Sequence, residues 1–143
     1  MPLIDVTLKP GSELVLVSWG KTCSQPVINR FIRTIFGPSL PPLFVANSEA
    51  LGMEDGTPED AIQVQFHDFG KDDINVANFW VKVQFSETAP EESSREKIVN
   101  SIYSLIHGVF HGEGFEMFSS FVLDVLWGPT SGCGYVNGTI FKW

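Results

Sequence analysis

Apolar and polar residues alternate from the start of the chain. In Pro2–Leu8, Ile4, Val6 and Leu8 fall on one face and Leu3, Asp5 and Thr7 on the other, which predicts a strand. Lys9-Pro10-Gly11-Ser12 ends it. Leu14-Val15-Leu16-Val17 fits either a short strand or the first turns of a helix. From Ser24 to Gly37 the period changes: Val27, Ile28, Phe31, Ile32, Ile35 and Phe36 repeat at helical spacing, Ser24 can cap the segment and Pro26 suits its first turn. Gly37-Pro38 reads as its stop. Residues 38–60 carry three early prolines and late acids without a sustained period, which predicts a loop that packs as an insertion or covers a site as a lid.

Alternation returns over 61–69, where Ile62, Val64 and Phe66 oppose Gln63, Gln65 and His67, and again over 78–85, where Phe79, Val81, Val83 and Phe85 oppose Trp80, Lys82 and Gln84. Thr88-Ala89-Pro90-Glu91 has the form of a capping box, and Ile98, Ile102, Leu105, Ile106 and Val109 give the helix after it a buried stripe that ends at Gly112 and Gly114. Residues 118–127 read as a fourth strand, with Phe121, Leu123, Val125 and Trp127 against Val122, Asp124 and Leu126. Gly-rich 128–134 reads as a plain loop, and Asn137-Gly138 as a turn between short apolar runs.

The order is strand–helix–strand, twice. A crossover helix makes the two strands it joins parallel. The pattern therefore predicts an α+β fold: a duplicated β-α-β unit, with pseudo-repeats over about 1–70 and 71–143, forming a four-stranded sheet with two helices on one face. The other face needs a cover, and further subunits are what could supply it.

Length and composition narrow the class. The 143 residues suit one domain, and 43% hydrophobic with 18% charged residues is a globular balance, not that of a disordered chain. Twelve Phe and four Trp favour a subunit contact, although a large core would also absorb them. A net charge of −8, with scattered basic residues, argues against nucleic acid. No basic leader and no long apolar run suggests a membrane or secretion, so a cytoplasmic protein is expected, with Cys23 and Cys133 as thiols.

Pro2 has two readings. A proline lacks the N–H that a sheet would use, so the first residue of a strand suits it. If Met1 is removed, however, Pro2 becomes a secondary amine fixed at the end of a strand. An α-amino group titrates near pH ~8, and apolar surroundings or a nearby cation lower it further. An amine titrating near neutrality can carry a proton between carbons, the chemistry of keto–enol tautomerisation, or attack a carbonyl.

The element order, with "MPLIDVTL", "FWVKVQFSETAPEESSREKI" and "CGYVNGTIF", resembles the tautomerase superfamily, in particular members similar to macrophage migration inhibitory factor and 5-carboxymethyl-2-hydroxymuconate isomerase. The resemblance implies a homotrimer acting on a small keto or enol acid, with Pro2 as the catalytic base and neither metal nor cofactor. It also implies substrate contacts. Gln63 stands where several members carry an arginine, without its charge. Lys9 and Lys82 are candidate cations, Gln84 lies beside Lys82, Asp124 takes the place of a fourth-strand asparagine, and Tyr135 that of a pocket aromatic. Asp124, mid-strand among apolar neighbours, needs a partner or a raised pKa.

Other signals point elsewhere. His107 and His111 are four apart but lack a third ligand and read as helix-end partners of the dipole. His67 has no nucleophile elbow near it. Two alternatives to catalysis stay open: a non-catalytic member of the fold that binds a small molecule or a protein, and an unrelated ferredoxin-like dimer.

Overall fold

In the computed structural model the first strand, β1 (Pro2–Leu8), runs between two partners. Residues 2–74, 76–115 and 121–128 are described throughout, and 131–136 and 139–142 as backbone. β1 pairs in parallel with β4 (Gln63–Asp68), Leu3 opposite Gln63, and antiparallel with β5 (Phe79–Phe85), Pro2 opposite Phe85. β5 pairs in parallel with β6 (Phe121–Trp127). Each half thus joins two parallel strands across helix, and the halves meet antiparallel at β1 and β5. The α+β fold implied by the periodicity is the fold observed.

Two additions were not legible as such. β2 (Leu14–Ser18) and β3 (Lys21–Ser24) form a separate hairpin, which resolves the ambiguous Leu14–Val17 as strand. β7 (Ser131–Val136) and β8 (Thr139–Lys142) extend the main sheet to the order β4-β1-β5-β6-β7-β8. Much of the expected loop at 128–134 is therefore strand: a run poor in large side chains still pairs through its backbone when an edge, here that of β6, is free to receive it. Residues 116–120 and 137–138, which hold the expected start of the fourth strand and the Asn-Gly turn, lie outside the described residues.

The helix after β3 also runs on where a stop was expected. α1 (Gln25–Phe31) passes through a π-helical turn (Ile32–Phe36) into α2 (Gly37–Ala46). Restarted after the π turn, the helix has Pro38 in its first turn, where a missing N–H costs little. Pro41 and Pro42 forgo further ladder bonds, and the fully buried Leu40 and Phe44 on either side hold the segment by packing. Gly37 is there for clearance: a Cβ on it would run into the Phe66 ring of β4. A close approach of helix and sheet thus reads, in sequence, like a break. The later part of 38–60 holds turns and a short 3-10 turn at Glu59–Ala61.

α3 (Glu92–Gly112) starts later than the capping-box pattern implies. Glu91 occupies the N-cap without a side-chain cap bond, and Arg95 Nε donates to Pro90 O at 2.8 Å. Its buried residues meet those of α1 and the π turn over β5 and β6. Phe110 lies 5.1 Å from both Phe31 and Phe79, and Phe79 stacks on Phe121 at 4.9 Å. This aromatic cluster accounts for much of the unusual Phe content inside one chain. Among the described residues, no helix is long and apolar enough to cross a membrane.

A buried polar tie closes the far end of β1. Gln25, fully buried, donates to Asn78 O at 3.1 Å and to Asn29 Oδ1 at 2.8 Å, and accepts from Asn78 Nδ2 at 2.8 Å. Asn29 Nδ2 in turn donates to Lys9 O at 2.9 Å. The tie joins the end of β1, the start of α1 and the approach to β5.

Removing one partner strands the other, so Gln25→Leu is expected to cost about 1–3 kcal/mol in urea unfolding, and Gln25→Leu with Asn78→Leu less than the sum of the two single changes. Gly37→Ala, despite its better helix propensity, is expected to lose about 1–3 kcal/mol by overpacking, and Phe66→Leu to restore most of that loss in the double variant.

Candidate functional site

The pleat of β1 separates two chemistries. Pro2, Ile4, Val6 and Leu8 are buried beneath the helices, while Leu3, Asp5 and Thr7 point to the open face. β5 repeats this, with Phe79, Val81, Val83 and Phe85 buried and Trp80, Lys82 and Gln84 exposed. Pro2 is therefore at the covered, apolar end of the sheet. Its cross-strand partner Phe85 stacks on Trp127 at 5.7 Å with an interplanar angle of 11°, and Ile62, just before β4, is buried.

Register places the other candidates. One row across the open face reads Gln63, Leu3, Gln84, Leu126; the next reads Gln65, Asp5, Lys82, Asp124; the third reads His67, Thr7, Trp80, Val122. Gln63 and Gln84 thus flank Leu3, the neighbour of Pro2. Lys82 and Asp124 stand one row further along, on the face opposite the Pro2 ring. Lys9 lies beyond the other end of β1, with its Nζ 2.8 Å from Glu13. The Tyr135 backbone pairs with Leu123; its side chain lies outside the described residues, as does Met1.

The open-face residues form a polar group. His67 Nε2 lies 3.0 Å from Asp5 Oδ1, and the Trp80 indole N–H donates to Asp124 Oδ2 at 2.7 Å. Asp5, Thr7, His67, Trp80 and Lys82 line a cavity of about 300 Å³. Burial pushes the half-buried Asp124 carboxyl above its ordinary value of 3.8; the Trp80 hydrogen bond and the Lys82 charge oppose that shift without cancelling it. The expected need of Asp124 is met both ways, by a partner and by a raised pKa.

Sequence reasoning missed Asp5, Thr7, His67 and Trp80 as members of a site. Alternation does put Asp5 and Thr7 on one face and Trp80 beside Lys82. What brings them together is the parallel register of β1 and β4, which no single segment encodes. Among the described residues, no three His, Cys, Asp or Glu side chains are grouped to hold a metal ion. The rings of His107 and His111 stack 6.0 Å apart on α3.

No protein-family model and no curated protein matches the chain. Among solved structures it is similar to N1, a member of the cis-3-chloroacrylic acid dehalogenase (cis-CaaD) family, at 13% identity and a TM-score of 0.48, over 89% of this chain and 75% of that one. Likeness at this level says nothing of activity or substrate.

The raised Asp124 pKa fixes a sign. The folded protein holds this proton more tightly than the unfolded chain, so the contribution of Asp124 to stability falls as pH rises from 3.8 through its raised value. Asp124→Asn keeps an oxygen for the Trp80 N–H and removes the charge. The variant is expected to lack that part of the decline when unfolding free energy is followed from about pH 3 to 7, and to be at least as stable as wild type at the neutral end.

Proposed function

We propose that the chain, with Met1 removed, uses the Pro2 amine as a general base for proton transfer on a small keto or enol acid. What supports this reading is the placement of Pro2. It heads a strand held on both sides, which fixes the nitrogen, and it is buried beside Phe85 and Ile62. Apolar surroundings disfavour the ammonium form and bring an amine toward the pH at which it both takes and returns a proton. The amine would remove a proton from the carbon next to the carbonyl and deliver it to the other end of the enol system. Gln63 and Gln84, in the adjoining row, are the nearest of the expected substrate contacts.

The assembly that goes with this reading is a homotrimer in the cytoplasm. A second reading is favoured by one observation: Gln63, Gln84, Lys82 and Asp124 all lie on the face opposite the Pro2 ring. In that reading the chain is a binding module of the same fold, without turnover.

Intact mass of untagged protein, followed on the same sample by ketonisation of enol-phenylpyruvate, separates the two. The expected result is loss of one methionine and a rate that falls at least about 100-fold in Pro2→Ala, the scale of general-base catalysis. Retention of Met1, or equal rates in the two proteins, leaves the binding module as the better account.

A further inference from the structure

Lys82 is a cation of the open face that has no direct partner among the described residues. Register sets it between Asp5 and Asp124, yet each carboxylate is engaged elsewhere: Asp5 with His67 at 3.0 Å, Asp124 with the Trp80 indole at 2.7 Å. Lys82 lies within electrostatic reach of Asp124 but forms no salt bridge among the described residues. Its ammonium therefore keeps donors for an incoming acceptor.

The cavity beside Lys82 has a matching shape. Its lining combines the small side chain of Thr7 with two flat rings, His67 and Trp80, one strand away on either side of Thr7. Trp80 is 38% exposed and has Phe69 at 6.1 Å, so an apolar surface meets water at this point. A volume of about 300 Å³ suits a single-ring ligand. A flat, apolar body with one carboxylate would place its ring over Thr7 between indole and imidazole, and its charge on Lys82.

We propose that the open sheet face carries a binding site for a planar aromatic or conjugated carboxylic acid, held by Lys82, Thr7, His67 and Trp80 and independent of Pro2. The site goes beyond the proton-transfer reading and does not rest on it. Four residues of β1 lie between Pro2 and Thr7, and the two side chains point to opposite faces of the sheet.

trans-Cinnamate is a suitable probe, because it has the flat ring and the carboxylate but no enolisable position for an amine base to act on. Isothermal titration of the full chain is expected to show binding of cinnamate that is about tenfold or more weaker for cinnamamide and for Lys82→Met, is largely retained in Lys82→Arg, and is unchanged in Pro2→Ala. A second readout needs no variant of the binding residues: the Trp80 indole N–H resonance, assigned by its loss in Trp80→Phe, shifts on saturation. The proposal is overturned if wild type takes up no cinnamate, if the amide binds as well as the acid, or if Lys82→Met leaves the affinity unchanged. Loss of binding in Pro2→Ala also overturns it, by making the site part of the Pro2 end. So does a loss in Lys82→Met that coincides with a change of subunit count by light scattering, which would make Lys82 an assembly residue.

Discussion

The structure depends on β1 being a central strand. Its covered face, Ile4, Val6 and Leu8, is fully buried, and its two edges are taken by β4 and β5. A strand paired on both sides and packed on one face cannot slip by one residue, because every apolar side chain would then move to the open face. That constraint sets the register of both neighbours. It also decides which polar residues meet: Asp5 reaches His67 on one side and stands opposite Lys82 on the other. The open-face site is a by-product of packing the covered face.

Periodicity carried the core of this fold because the four strands that matter most alternate cleanly and the α3 stripe is regular. Both signals report a buried face directly. Where the sequence misled, a residue had a second physical use. Gly37 reads as a helix terminator, yet what it supplies is room for Phe66. The prolines at 38, 41 and 42 read as a break, yet a π turn and buried flanking residues let the helix pass through them. Thr88 looked like a cap because capping is local, and the structure began the helix three residues later, after Pro90 and Glu91. The strand character of 131–136 was hidden because it rests on a partner edge, not on side chains.

The candidate site was legible only in part for a similar reason. Pro2 and Lys82 are visible as unusual residues at strand positions, and Asp124 as a charge in an apolar strand. Their grouping is a tertiary matter. Lys9, a lysine next to a turn in sequence, lies at the far end of the sheet, its charge met by Glu13 and its backbone tied to Asn29 and Asn78. Gln25 gave no sequence signal at all, yet it is the fully buried polar side chain on which the junction of β1, α1 and β5 relies.

The two faces of the sheet offer different electrostatic environments, and this bears on what each could do. At the covered end, apolar neighbours would lower the pKa of an amine by disfavouring its charge. On the open face the same desolvation raises that of Asp124, opposed by a neighbouring indole and ammonium. Each effect penalises charge in a drier medium, and opposite signs of charge turn it into opposite shifts. An amine at the Pro2 end would be brought toward neutrality by its apolar surroundings alone, with no neighbouring cation required. On the open face Lys82 stands between Asp5 and Asp124, whose carboxylates are bonded to His67 and to the Trp80 indole. One strand, β1, holds the two environments apart, because its alternation turns Pro2 to the covered face and Asp5 and Thr7 to the open one.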